Sequence, residues 1–153
     1  MGDVVSFKSR VPAMSGEAVA KVRTLETVIS ALPQTPVSTH HILHGGMYAR
    51  TVMIPAGTVI TGALVKVPTT LVVCGDCTVY IGEESVRVQG YNVFAASAGR
   101  KQAFIAHTDL FLTMSFATDA QTVEQAEDLF TDEAHLLVSR SPAAENHVLI
   151  TGE

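Results

Sequence analysis

Charged side chains are scarce in this sequence. Asp, Glu, Lys and Arg make up 16% of its residues, against ~25% in a typical soluble domain, and the formal net charge is −5. The Lys and Arg residues form no cluster, which argues against a nucleic-acid-binding surface. Hydrophobic residues reach 47%, with a mean hydropathy of +0.29. Either Ala, Val and Thr are spread singly over sheet faces, or other chains cover part of the surface; we expect the second, a homo-oligomer.

Long hydrophobic runs are also missing. The best candidate for a membrane span, 51–65, is shorter than the ~20 residues that a bilayer requires. It also contains Pro55, Gly57 and Gly62. The opening residues, MGDVVSFKSR, carry Asp3 where a secretory signal has positive charge, and they lack an apolar h-region. We therefore expect a soluble protein, intracellular when made, with no membrane partner.

Cysteine occurs only twice, at Cys74 and Cys77 in the segment CGDC. Two Cys residues do not make a zinc site. A redox C-x-x-C pair needs a helix N-terminus to lower the pKa of its first thiol, whereas Gly75-Asp76 lies between two β-type segments. The motif therefore predicts a two-residue β-hairpin loop in which both thiols stay reduced.

One amphipathic helix is predicted near the N-terminus, at 15–32. Ser15 is a suitable N-cap, and Pro33 and Pro36 follow the last periodic residue. The narrow apolar stripe predicts docking on the body of the protein or on a neighbouring subunit. The stripe ends at Leu32, and its other members are the candidate oligomer contacts Ala18, Val22, Leu25 and Ile29.

Between 47 and 116 the apolar period changes to two. Seven or more short strands at this spacing predict an all-β fold, an antiparallel sandwich or barrel. The turn signals between them are Pro55-Ala56-Gly57, Gly75-Asp76, Gly82-Glu83-Glu84, Gly90 and Ala98-Gly99. The expected core residues are Val52, Ile54, Val72, Val79, Val88, Phe94, Phe104, Ile105 and Leu112.

The C-terminal part begins with a second helix. Thr122 and Gln125 form a T-x-x-Q capping box. The helix that follows has one apolar face, made of Val123, Ala126 and Phe130. The final VLITGE is predicted to add a strand. The chain thus divides into an arm with the first helix (1–46), one barrel (47–116) and a helical C-terminal segment with a tail (117–153).

Four short motifs, in this order and spacing, resemble a known family. They are I-P-A-G-T at 54–58, S-A-G-R-K at 97–101, A-H-T-D at 106–109 and the acidic DAQTVEQAEDLF at 119–130. Across 48–130 the chain resembles the cupin-like proteins of tailed bacteriophages and prophages. This resemblance implies a cupin-like antiparallel jelly-roll barrel.

The resemblance also implies where a metal would bind. Metal-binding cupins place His ligands on the strand after the first turn and after a P-x-G in a second motif. Here these positions correspond to Val65, Val67, Thr69 and Gln102. Valine has no lone pair to offer a metal, whereas imidazole does. The resemblance therefore predicts a barrel without metal or cofactor, and it argues against metal-dependent catalysis.

Two other clusters carry chemically active side chains. The segment THHILH supplies His40, His41 and His44, but it is brief, is followed by Gly45-Gly46 and lacks the Glu of a zinc-protease helix. We expect these histidines to face solvent or to cap a strand. The pair Arg100-Lys101 is expected to be exposed turn charge, with binding of a phosphate or carboxylate as the alternative.

Two classes of function follow. The first is a structural or assembly protein of a phage virion, a homo-oligomer that contacts other phage structural proteins and is made in the host cytoplasm. The second is a metal-free cupin barrel, or a cupin enzyme, that binds a small molecule in the host cytoplasm. No catalytic residue is assigned. The candidate ligand-binding residues of the second class are Lys66, Thr69, Tyr80 and Gln102.

Overall fold

A computed structural model describes residues 9–81 and 84–153, which form two sheets and two helices. The predicted turn at Gly82-Glu83-Glu84 lies mostly outside the described residues, as do residues 1–8 of the arm. The elements are β1 (Arg10–Val11), α1 (Gly16–Ser30), β2 (Ser38–His44), β3 (Met47–Ile54), β4 (Val59–Thr61), β5 (Thr69–Cys74), β6 (Cys77–Ile81), β7 (Glu84–Val88), β8 (Tyr91–Ala96), β9 (Ala103–Ala106), β10 (Leu110–Ala117), α2 (Val123–Phe130) and β11 (Glu145–Ile150). Two 3-10 turns, Ala134–Leu136 and Val138–Arg140, connect α2 to β11.

The two sheets enclose one apolar core in a jelly-roll arrangement. The larger sheet has the strand order β1-β8-β5-β10-β3-β2-β11, and the smaller sheet has the order β4-β9-β6-β7. The chain changes sheet at almost every connection from β3 to β10, so neighbours in sequence are seldom neighbours in a sheet. The predicted sheet-dominated jelly roll is therefore confirmed.

The larger sheet extends beyond the 47–116 range predicted for the barrel. Strand β2 pairs with β3 in antiparallel register, and β11 pairs with β2 in parallel register. At the opposite edge β1 pairs with β8. The predicted C-terminal strand is present, although it begins at Glu145 rather than at Val148. The arm and the tail thus complete the sheet at both edges.

Both helices begin where their caps predict. The backbone N–H of Ala18 donates to the Ser15 hydroxyl at 3.1 Å. At α2, the N–H of Gln125 donates to the Thr122 hydroxyl at 3.2 Å. The Gln125 side chain accepts from the N–H of Gln121 at 2.8 Å, one residue before the N-cap, so the return bond of the predicted capping box is shifted by one residue. Neither helix among the described residues is long and apolar enough to cross a bilayer.

The core contains most of the predicted residues. Two predicted core residues, Ile105 and Val72, do not face the core. In β9, Phe104 and Ala106 are buried, so the residue between them must face outward, and Ile105 is 42% exposed. Val72 likewise lies between two buried neighbours and points away from the interior. The confirmed core members are Ile54, Val79, Val88 and Phe104, with Val52, Phe94 and Leu112 packed against them.

The CGDC segment is a corner between the two sheets rather than the predicted hairpin. Cys74 ends β5 in the larger sheet, and Cys77 begins β6 in the smaller one. Gly75 between them has a φ of +131°, and a Cβ added there would lie 2.7 Å from the carbonyl oxygen of Asp109. Both thiols are free. Burial raises the pKa of the Cys77 thiol to about 11, so it is protonated at neutral pH.

Replacing Gly75 with Ala is expected to lower the free energy of unfolding by about 2 kcal/mol, because strain at positive φ adds to a backbone clash. Gly90→Ala is the matched control. Gly90 has a φ of +80° but open space around it, so only the strain applies, about 1 kcal/mol. Urea unfolding of both variants measures the difference. Equal losses in the two variants would show that the close approach of the Asp109 carbonyl is not the reason why a glycine is needed at position 75.

Candidate functional site

A cavity of about 150 Å³ lies inside the jelly roll. Both sheets and α2 supply its apolar walls, which include Val52, Ile60, Leu71, Phe104, Leu112 and Phe130. Its polar lining consists of Arg50, Arg100, Lys101, Gln102, Thr61, Glu26 and Glu133. Leu136, which is 59% exposed, marks its rim. A few polar groups that converge on an apolar space are typical of a small-molecule site.

Arg50 lines the cavity from β3, and its charge is matched. Its Nη1 donates to Glu127 at 2.8 Å, and its Nη2 donates to Ser139 at 3.0 Å. The guanidinium carbon also lies 5.6 Å from the centre of the Phe130 ring. Glu127 accepts a further hydrogen bond from Arg140 at 2.9 Å. These contacts fasten α2 and the segment after it to the sheet.

His41 belongs to the same buried group, which corrects the prediction that it faces solvent or caps a strand. Its Nε2 lies 2.7 Å from Asn146 Oδ1, and its Nδ1 lies 2.7 Å from the Tyr48 hydroxyl. Because the amide oxygen only accepts, Nε2 carries the proton and Tyr48 donates to Nδ1. Burial lowers the pKa of His41, which favours this neutral form. His40 and His44 are exposed, as predicted.

Lys101 is fully buried, so the prediction of an exposed turn charge is wrong. Its Nζ lies 2.9 Å from Glu26 and 3.5 Å from Glu133, and it donates to the Gly62 carbonyl at 2.9 Å. Burial alone would raise the pKa of Glu133, but hydrogen bonds from Arg23 and the charge of Lys101 outweigh it and hold that pKa below its usual value. Lys101, which lies two residues before β9, thus links that segment to α1 through Glu26 and to the segment after α2 through Glu133.

Arg100 is also buried, with 2% exposure, and forms no ion pair with a carboxylate of the described residues. Its Nη1 donates to the Ser97 carbonyl at 2.8 Å, and its Nη2 donates to the Thr69 hydroxyl at 2.7 Å. Burial lowers its pKa to about 10, which leaves it protonated at neutral pH. The predicted exposed turn charge is therefore wrong here too. A buried cation without a counter-charge costs free energy that an anion in the cavity would recover.

The four predicted ligand-binding residues do not form one site. Of these, only Gln102 lines the cavity, while Thr69 is the hydroxyl acceptor for Arg100. Lys66 is exposed in a surface ion pair. Tyr80 borders a groove between α1 and the smaller sheet instead. Since its neighbour in β6 is buried, Tyr80 must face outward, away from the barrel interior.

Two of the four positions implied for metal ligands lie at the cavity, and Thr69 is not one of them. Val65 and Gln102 line it, and Val67 packs against the adjoining core. Across 9–81 and 84–153 there is no group of three or more His, Cys, Asp or Glu side chains that could hold a metal ion. The cavity offers guanidinium, ammonium and amide donors, and its two carboxylates, Glu26 and Glu133, are both paired with Lys101. The donors that remain fit an anion rather than a metal cation.

The predicted oligomer contacts of α1 are partly used within the chain. Ala18 and Val22 are buried, and α1 lies beside β4. Their surface is already covered, so they cannot contact a partner, and that part of the prediction is wrong. Leu25 is more exposed and borders the groove beside Tyr80. Ile29 is half-buried.

The five central strands of the larger sheet have an outer face without charged side chains, which the sequence patterns did not single out; Arg10 of β1 and Glu145 of β11 flank it beside Ala95 and Ser38. Strand pairing aligns its outward residues in three rows across β8, β5, β10, β3 and β2, and none of them is Asp, Glu, Lys or Arg. Several are large and exposed, including Tyr91, Phe111 and Ile42. We call these rows the outer sheet face: Tyr91-Cys74-Phe111-Met53-Ser38, Val93-Val72-Thr113-Thr51-His40 and Ala95-Thr70-Ser115-Ala49-Ile42.

No family model and no curated protein matches the chain. Among solved structures, KdgF from Halomonas sp. has a TM-score of 0.47 and 18% identity, over 57% of this chain and 84% of that one. A cupin superfamily protein from Desulfitobacterium hafniense has a TM-score of 0.44 and 10% identity, over 59% and 86%. Salicylate 1,2-dioxygenase from Pseudaminobacter salicylatoxidans has a TM-score of 0.49 and 14% identity, over 74% and 35%. The structural neighbours thus include cupin superfamily proteins, a likeness that concerns the fold alone and assigns no activity.

Proposed function

We propose that the protein is a homo-oligomeric assembly module of a tailed-phage particle, whose subunits associate through the outer sheet face. The lack of charge on that face is the observation that carries the proposal. An antiparallel sheet with one solvated side normally alternates apolar and polar residues, yet here Val93, Phe111 and Ile42 lie on the solvated side. The phage context rests on the sequence resemblance across 48–130.

A second copy of the chain fits this face by shape. The row that begins at Tyr91 carries three large side chains, Tyr91, Phe111 and Met53, and the row that begins at Ala95 carries mostly small ones. A two-fold axis along the middle row would place the large row of one copy over the small row of the other, with Phe111 opposite Ser115. Large side chains would then fill the spaces above small ones, as in packed sheet pairs.

The face is also of a suitable size. Five strands at ~4.8 Å spacing, each with three outward residues at ~6.8 Å spacing, cover roughly 500 Å² in projection. The relief of the side chains adds to this area, and β11 extends the three rows with Glu145 beside Ser38, His147 beside His40 and exposed Leu149 beside Ile42. Specific interfaces bury ~800 Å² per partner, which is of the same order.

Val93→Lys tests the interface. Val93 lies in the middle row, so the two-fold axis would bring the two introduced ammonium groups together, and we expect association at least roughly 100-fold weaker. Light scattering at about 10 µM should find the parent chain oligomeric and the variant monomeric. Val86→Lys is the control, because Val86 is similarly exposed but lies on the smaller sheet. A monomeric parent chain, or equal effects of the two variants, would contradict the proposed interface.

The particle role has a separate test. Mass spectrometry of purified virions from the source genome should find the protein at a fixed copy number. Its absence from the particles would overturn the phage assignment. The proposed association through the outer sheet face would then be tested by light scattering alone.

A further inference from the structure

We infer that the cavity binds a small carboxylate with an apolar body, and that Arg100 is the group that recognises it. The inference concerns a different part of the molecule from the outer sheet face and does not depend on the assembly role. It rests on the charges, the hydrogen-bond donors and the volume of the cavity.

The charges around the cavity leave one cation unmatched. Arg50 pairs with Glu127, and Lys101 pairs with Glu26 and with Glu133. Arg100 has only neutral acceptors among the described residues. Lys101 has two carboxylate partners, so these three cations and three carboxylates balance in number, yet no carboxylate of the described residues lies within ion-pair distance of Arg100. A bound monoanion would give Arg100 a direct partner, and it would add less charge to this balanced group than a phosphate dianion would.

The donors suit a carboxylate in particular. A guanidinium has five N–H groups in a planar fork, and Arg100 directs one of them to Ser97 and one to Thr69. These two bonds hold the fork in place and leave donors for the two oxygens of a carboxylate. Gln102 lines the same cavity two residues later, and its side-chain amide is not bonded to any other described residue. It can therefore supply an additional hydrogen bond.

The volume sets the size of the rest of the ligand. A dry apolar cavity of this volume in another protein holds benzene. Here Leu71, Phe104 and Leu112 provide the apolar walls, and the partly exposed Leu136 marks the way in. Benzoate is thus a suitable probe, and benzamide is its neutral counterpart of the same shape.

Calorimetric titration of the parent chain tests the inference directly. Benzoate should bind at least roughly tenfold more tightly than benzamide, because a charge-assisted fork replaces neutral hydrogen bonds. Inorganic phosphate should bind more weakly than benzoate. No detectable binding of benzoate at about 10 mM, or equal affinity for benzoate and benzamide, would overturn the inference. Tighter binding of phosphate would overturn the choice of a carboxylate.

Two variants assign the effect to Arg100. Arg100→Met should weaken benzoate binding at least roughly tenfold and leave benzamide binding unchanged. Arg100→Lys keeps the charge without the fork and should give an intermediate loss. Lys66→Met, which removes an exposed cation outside the cavity, is the control and should change neither affinity. Should Arg100→Met fail to fold, the benzoate-to-benzamide ratio of the parent chain and Arg100→Lys still decide the outcome.

Discussion

Replacing Glu127 with Gln is expected to lower the free energy of unfolding by about 3–5 kcal/mol. The carboxylate is 2% exposed and lies 2.8 Å from Arg50 and 2.9 Å from Arg140. Without that charge, the buried Arg50 guanidinium has no carboxylate partner among the described residues. Gln has nearly the same shape, so the loss reports the charge rather than a cavity. Urea unfolding at pH 7 measures it.

The same variant should change how stability depends on pH. Burial raises the pKa of Glu127. Hydrogen bonds from Ser139 and Arg140 and the charge of Arg50 lower it by more than burial raises it, so the net shift is downward from 4.5. Because the folded pKa lies below the unfolded one, the stabilisation is present above about pH 4.5 and is lost as the pH falls through the folded pKa. The variant should lack this acid-dependent loss.

The control for Glu127 is an exposed ion pair. Asp132→Asn removes the partner of Lys66 at the surface, where both side chains are well solvated, and should cause little or no loss of stability. If Glu127→Gln were as mild as Asp132→Asn, or if its pH profile ran parallel to that of the parent chain, the buried ion pair would not be what holds α2 on the sheet.

Local signals made much of the fold predictable. The hydroxyls of Ser15 and Thr122 mark the two helix starts, because a cap depends only on the next few residues. The period-two pattern and the turn glycines indicate the barrel strands for the same reason. Strand β2 was missed because its inward positions include Thr39 and His41, which break the apolar alternation. His41 is satisfied by Asn146, 105 residues away, and no local pattern contains that partner.

The candidate site was harder to predict from the sequence. Arg100 and Lys101 follow a turn glycine, and charges in that position are usually exposed. Lys101 is buried, and its charge is satisfied by Glu26 of α1, by Glu133 after α2 and by the Gly62 carbonyl, all distant in sequence. One usable signal was present for Gln102: it lies two residues before the inward Phe104, next to the start of β9, so alternation places it on the inner side as well. The burial of Lys101 beside it does not follow this alternation. The outer sheet face had a signal too, since the apolar excess of the composition must lie somewhere on the sheet.

Replacing Lys101 with Met is expected to lower the free energy of unfolding by about 3 kcal/mol. Met has a similar length and fits the buried path, so packing is largely kept. The change leaves Glu26 and Glu133 facing the same space without the ammonium that lies between them. Arg23 still pairs with Glu133 but reaches it from the exposed side. We expect α1 to lose part of its attachment to the barrel.

The pH dependence of the Lys101→Met effect separates charge from packing. In the parent chain the lowered pKa of Glu133 stabilises the fold above about pH 4.5, and this contribution disappears as the pH falls through the folded pKa. The variant lacks one cause of that lowered pKa, so the stability difference between the two proteins should shrink in acid. Urea unfolding across the pH range measures it, with Lys21→Met as the control because Lys21 is an exposed residue of α1. A difference that stayed constant with pH would assign the loss to packing and contradict the role of Lys101 as the shared counter-charge.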